Sequence, residues 1–171
     1  LEPGFHNLQV QVGSQISAPL AFNVLQPQVS PYDQVTGRVG TASETRAIAF
    51  APNGRYVYAV APFANAVFVI DLKTEQPIAA IPVGDNPYAI AMHPKGTVAY
   101  VANLLSSTVS VIDVKPDSPT FNQVITTIRV GLNPTDMAVT ASGGRLYVAN
   151  FGSSDLSVID SNTRSESYHQ V

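Results

Sequence analysis

The sequence predicts an all-β chain: a partial β-propeller of about three four-stranded blades, 42–47 residues each, after a separate β-hairpin. Three observations carry this. First, the chain repeats itself. Arg55–Asp71 (RYVYAVAPFANAVFVID), Thr97–Asp113 (TVAYVANLLSSTVSVID) and Gly144–Asp160 (GRLYVANFGSSDLSVID) share one pattern, and their closing aspartates lie 42 and 47 residues apart. A second landmark keeps the register: Val83-Gly84-Asp85-Asn86-Pro87 returns as Val130-Gly131-Leu132-Asn133-Pro134, again 47 residues on. Second, each repeat holds four short apolar runs separated by turn residues, and no long window carries a helical period. Third, runs such as Ala66–Ile70 and Val98–Ala102 are apolar at nearly every position. A sheet with one wet face alternates; a sheet covered on both faces need not. Sheets stacked face to face around an axis supply that cover.

Taken in order, residues 1–26 open with two alternating stretches, Leu8–Val12 and Ala21–Leu25, joined through Gly13-Ser14. They read as a hairpin, which is marginal alone. Residues 27–34, with two prolines, read as a semi-rigid linker. Residues 35–171 are the blades. In the second repeat the strands fall at Tyr88–His93, Thr97–Ala102, Thr108–Val114 and Val124–Val130, and Pro52-Asn53-Gly54 and Pro94-Lys95-Gly96 are tight turns. The first strand of a repeat is rich in alanine (Ala47, Ala49, Ala51; Ala89, Ala91), as expected where blades converge. The five extra residues of the longer spacing fall in the proline-rich stretch Lys115–Asn122, where a loop tolerates them. Closed propellers typically need about four to eight blades. The last repeat stops at Ser167–Val171, level with the start of its fourth strand. A piece of a longer chain is therefore expected, with Val35–Gly40 placed to complete the last blade of the ring; closure by self-association is the alternative.

Composition narrows the function. Charged residues are 12% of the chain, about half the usual share, and nine basic against twelve acidic residues give a net charge of −3. With a pI near 5.4 and no basic stripe, nucleic acid and anionic membranes are not the expected partners. No apolar run approaches the roughly 20 residues of a membrane helix. The absence of cysteine excludes disulfides, thiolate metal sites and cysteine nucleophiles.

Tyr100-Val101-Ala102-Asn103 with Thr108-Val109-Ser110-Val111-Ile112-Asp113, and the Val-Gly-x-Asn-Pro connector, resemble the YVTN-type propeller repeat over about residues 35–171. That resemblance implies a secreted, surface-layer-like prokaryotic protein. The first repeat departs from it, with Ala61-Pro62 where the others carry Ala-Asn. The stretch Gly4-Phe5-His6…Val10-Gln11-Val12…Ala18-Pro19-Leu20-Ala21-Phe22-Asn23-Val24 resembles the last hairpin of an immunoglobulin-like domain of the TIG type.

The chemistry-bearing residues mostly have structural explanations. Asp71, Asp113 and Asp160 recur at third-strand ends, where a carboxylate accepts backbone N–H bonds and starts a turn. An active site needs different groups converging once, so recurrence favours the turn. His93 precedes Pro94-Lys95-Gly96 and reads as a surface turn residue; His6 and His169 lie at opposite ends without an adjacent carboxylate. No metal-ligand spacing, phosphate cradle or nucleophile elbow occurs, so no catalytic, metal or cofactor residue is assigned and no cofactor is expected from these residues.

What stands out is one face. Connectors between blades and second-to-third-strand loops share one end of a propeller, presenting Phe63, Asn65, Asn86, Tyr88, Asn103, Leu104, Asn133, Asn150, Phe151 and Ser153. Aromatic, aliphatic and amide groups with little charge suit an interaction surface. Arg46, Tyr88 and Thr135 open successive inner strands and are placed to line the channel. The expected function is a non-enzymatic extracellular or cell-surface module, the periplasm being a further compartment, for protein–protein interaction, adhesion or surface assembly. Carbohydrate binding through Phe63, Tyr88 and Phe151 is a further option. The alternative is the propeller of an enzyme, lactonase-like or a haem or metal oxidoreductase subunit, with catalytic residues in further blades.

Overall fold

The computed structural model describes residues 38–41 and 43–171 and, before them, the backbone of four strands: β1 (Gly4–Leu8), β2 (Gln11–Val12), β3 (Gln15–Ile16) and β4 (Leu20–Val24). Two units form, Leu1–Arg38 and Val39–Val171. In the first, β1 pairs antiparallel with β4, setting Leu8 opposite Leu20, and β2 pairs with β3. The outer arm therefore lies at Gly4–Leu8 rather than at Leu8–Val12. The expected turn at Gly13-Ser14, the linker 27–34 and residues 35–37 lie outside the described residues.

The second unit is three antiparallel sheets. The first is β5 (Ala47–Phe50), β6 (Tyr56–Ala61), β7 (Ala66–Asp71) and β8 (Gln76–Pro82). The second is β9 (Pro87–Met92), β10 (Val98–Asn103), β11 (Thr108–Asp113) and β12 (Val124–Arg129). The third has three strands, β13 (Pro134–Val139), β14 (Arg145–Asn150) and β15 (Asp155–Asp160). The inner strands β5, β9 and β13 lie side by side. This is the partial propeller that the repeats predict, blade by blade, with boundaries within a residue or two.

Packing explains the sequence pattern. Tyr58, Val60, Val67 and Val69 of the first sheet meet Ala99, Val101 and Ile112 of the second. On its other side the second sheet presents Tyr100, Val109 and Val111 to Leu146, Val148 and Ile159 of the third. Strand β10 is covered on both faces, and all six of its residues are buried. Strand β14 has nearly the same sequence but one covered face, and its residues alternate between exposed and buried. Tyr147, Leu156 and Val158 stand where Tyr100, Val109 and Val111 do in the second sheet, and they are exposed. Burying each would contribute about 1.5–3 kcal/mol.

Two landmarks of the repeat turn out to be one contact. Gly84 packs so tightly on Asn103 that an added Cβ would sit 2.7 Å from its Cγ, and a Cβ at Gly131 would sit 2.6 Å from the Cγ of Asn150. Neither glycine needs a left-handed backbone; both are required for space. The amides lie beneath the surface: Asn103 Nδ2 donates to Thr108 and Ser110 at 3.0 and 2.9 Å, and Asn150 Nδ2 to Asp155 and Ser157 at 2.7 and 2.9 Å. In the first repeat the strand pairing sets Ala61, one place before the expected Pro62, level with Asn103, and a Cβ on Gly40 meets nothing within 4 Å.

The recurring aspartates build turns as expected. Oδ1 of Asp71, Asp113 and Asp160 accepts the N–H of Lys73, Lys115 and Asn162 at 2.9, 3.0 and 3.0 Å. The hydroxyls of Ser165 and Ser167, then the Asn162 N–H and the Arg145 guanidinium, hold the Asp160 carboxyl down at about 2. His93 departs from expectation: it is buried, 1% exposed, rather than a surface residue. Its Nδ1 accepts the Lys95 N–H at 3.1 Å, which leaves the proton on Nε2 to donate to the Gly143 carbonyl at 3.0 Å. The inner-strand turn of the second sheet is thereby tied to that of the third, a contact that a single repeat does not reveal.

Gly84→Ala is expected to lower stability by about 1–3 kcal/mol through overpacking on Asn103, whereas Gly40→Ala should be neutral; urea unfolding midpoints decide, and equal effects would refute the contact. For Asp160 the folded carboxyl is depressed, so its contribution is complete above the ordinary value near 3.8 and is lost as pH falls toward 2. Thermal unfolding of Asp160→Asn should lie below that of the wild type at pH 7 and converge with it at pH 2.

Candidate functional site

The connectors and the second-to-third-strand loops do share one face, and they are laced together. The Asn86 N–H donates to Asn65 Oδ1 at 2.9 Å, and the Leu104 N–H donates to the Asn86 carbonyl at 3.0 Å. Asn133 Nδ2 donates to the Leu104 carbonyl at 3.3 Å, and the Phe151 N–H to the Asn133 carbonyl at 3.0 Å. Asn65, Asn86 and Asn133 adopt left-handed φ of 48°, 51° and 50°, the conformation asparagine tolerates among non-glycine residues. Side chain and backbone of one residue type thus make both the turn and the tie.

The face is not uniform. Phe63 and Phe151 are 78% and 79% exposed, and Leu105 and Leu132 also point outward. Leu104 and Asn133 are half-buried. Asn103 and Asn150, expected on this surface, are buried beneath it because their amides close the β10–β11 and β14–β15 hairpins. Ser153 remains at the surface, its hydroxyl accepting the Leu132 N–H at 3.0 Å.

At the inner end, between the first two sheets, a cleft of about 430 Å³ is lined by Glu44, Thr45, Arg46, Pro62, Phe63, Asn86 and Tyr88. Arg46 precedes β5 and Tyr88 lies in β9, so the adjacency of these inner strands brings them together. The guanidinium carbon sits 3.5 Å from the centroid of the Tyr88 ring, a cation–π stack that holds the charge in place. Among the described residues Arg46 makes no ion pair. A fixed cation beside an amide, an exposed aromatic and a carboxylate can hold an anionic, hydroxyl-rich small molecule. Thr135 is not part of this cleft. It lines a shallower one with Phe151, Asp155 and Leu156.

Sequence reasoning missed Glu44 and Thr45. They precede the first inner strand, outside the repeat pattern, and only their proximity to Arg46 could have flagged them. Among the described residues no three histidine, aspartate or glutamate side chains gather as a metal site.

Residues 21–170 match the family described as Lactonase, 7-bladed beta-propeller. The comparison with curated proteins gave no match. Among solved structures, the hydrazine synthase of Kuenenia stuttgartiensis superposes with a TM-score of 0.68 at 27% identity, over 75% of this chain and 37% of that one. A candidate 6-phosphogluconolactonase from Bacteroides fragilis gives 0.65 at 17% identity, over 83% and 44%. A functionally unknown protein from Desulfotomaculum acetoxidans gives 0.63 at 16%, over 89% and 50%. The chain thus spans half or less of the length of each of these structures. They share the propeller fold with it.

Proposed function

The chain belongs to the lactonase family of seven-bladed β-propellers, and from that premise we propose that it supplies part of a propeller hydrolase for anionic sugar lactones. The observation that carries this is the Arg46–Tyr88 stack at the inner end of the sheets, beside Glu44 and Asn86. The candidate 6-phosphogluconolactonase of Bacteroides fragilis among the structural neighbours suggests phosphorylated sugar lactones as the first probes.

In this reading Arg46 binds the anionic substituent with charge-assisted hydrogen bonds. Asn86 and Tyr88 contact the sugar, and Glu44 is the general base. Water adds to the lactone carbonyl as Glu44 takes its proton. The ring C–O bond then breaks, and the ring oxygen leaves as a hydroxyl when the proton is returned, giving the open-chain acid.

This reading predicts hydrolysis of 6-phosphogluconolactone above the spontaneous rate, followed as acid release. Arg46→Met should weaken 6-phosphogluconate binding in calorimetry by roughly tenfold or more. Glu44→Gln should lower kcat by roughly 10²-fold with little change in binding. Binding that is the same in wild type and Arg46→Met would remove the assignment.

A second reading is favoured by the exposed side chains of Phe63, Leu105, Leu132 and Phe151 on the laced face. Large apolar groups held on rigid loops suit a protein partner, which is the adhesion or assembly module expected from the sequence. The double variant Leu132→Ser, Phe151→Ser should then abolish any self-association seen in sedimentation while leaving lactone hydrolysis intact. Association that survives both changes counts against this surface.

A further inference from the structure

The two sheet interfaces are built alike and closed differently. In the first, the Tyr58 hydroxyl donates at 2.8 Å to Asn122 Oδ1 on the loop between β11 and β12. Beside it, Phe121 meets Tyr56 with ring centroids 5.6 Å apart. This loop contains the extra residues of the longer repeat spacing, and it clasps the preceding sheet. In the second interface the same positions are filled by Tyr100 and by Tyr168-His169.

His169 repeats the backbone of Asn122. Their φ values are 64° and 59°, and each N–H donates at 2.8 Å, His169 to the Asp160 carbonyl and Asn122 to that of Asp113. The side chain differs. The imidazole meets Tyr100 edge-on at 6.0 Å and stacks on Tyr168 at 3.7 Å. Tyr100 is fully buried, and neither its hydroxyl nor His169 Nε2 has a protein hydrogen-bond partner. An Asn–Tyr bond in one interface has become an unpaired His–Tyr contact in the next.

We propose that His169 is a pH-sensitive latch, neutral when it clasps Tyr100 and released from the second sheet when it takes up a proton in mild acid. No unengaged carboxylate faces it to pair with a cation. Tyr100 faces it from β10, Tyr168 from its own loop and His93 from the end of β9. Asp113, at the end of β11, is engaged by Ser118, Thr120 and the Lys115 N–H. Asp160, at the end of β15, is engaged by Ser167, the Asn162 N–H and Arg145. Burial, and then His93, push His169 below the ordinary 6.5. The sign follows: below that value the unfolded chain binds a proton that the clasped form refuses, so stability falls as pH drops, until the folded group titrates too.

Thermal unfolding of the full chain between pH 7.5 and 5 tests the latch. The wild type should lose roughly 2–4 °C across that window. His169→Asn copies the first interface and should flatten the loss, whereas Asn122→His should add a second one. Imidazole titration by NMR on the wild type, where no variant needs to fold, should place His169 below 6.5. A His169→Asn profile parallel to the wild type, or a His169 that titrates at or above 6.5, would overturn the proposal.

Discussion

Burial of the second strand on both faces, in the first two sheets, is the constraint from which the rest of the unit follows. Tyr58 and Tyr100 are each fully enclosed by the next sheet, and a tyrosine there contributes its apolar area only if that neighbour is in place. The same requirement fixes the spacing between repeats. A sheet must return the chain to its inner edge before the next can cover it, so each connector crosses from outer to inner strand. Gly84 and Gly131 stand on those crossings, pressed against the asparagines that close the following hairpins. One contact thus couples strand length, connector path and sheet spacing.

The candidate site depends on that coupling. Arg46 and Tyr88 come from different sheets and stack only because β5 and β9 run side by side. Loops that met the cleft on flexible arms would lose part of their binding energy to ordering. Here Asn65, Asn86 and Asn133 tie loop to connector with left-handed turns and amide hydrogen bonds. The rim is therefore positioned before any ligand arrives.

Much of this architecture was legible in the sequence, for a physical reason. Strand boundaries, the carboxylate turns at Asp71, Asp113 and Asp160 and the shared loop face are local or periodic features, and the repeat states each of them more than once. What stayed hidden depends on contacts between repeats. His93 reads as a turn residue within its own repeat and is buried only because Gly143 of the next one sits over it. Asn103 and Asn150 sit at strand ends, where surface exposure is the ordinary expectation, yet their amides turn inward to Ser110 and Ser157. Glu44 was invisible for the opposite reason: it belongs to no repeat. The family match spans residues 21–170 and bears on the propeller as a whole rather than on the type of its local repeat.

Repetition also separates scaffold from site. Features present in more than one repeat, such as the aspartate turns, the Gly–Asn contacts and the buried tyrosines, perform the same packing task at each occurrence. Features that break the pattern have no such task to explain them. At the starts of the inner strands stand Arg46, Tyr88 and Thr135, three unlike residues in equivalent places, and two of them make the cation–π stack. At the clasping loop Asn122 gives way to His169 with the backbone unchanged. Where geometry is conserved by the fold and chemistry is not, the side chain is free to answer to a ligand or to pH. In this chain those positions fall on the seams between sheets, where neighbouring repeats bring together groups that no single one contains.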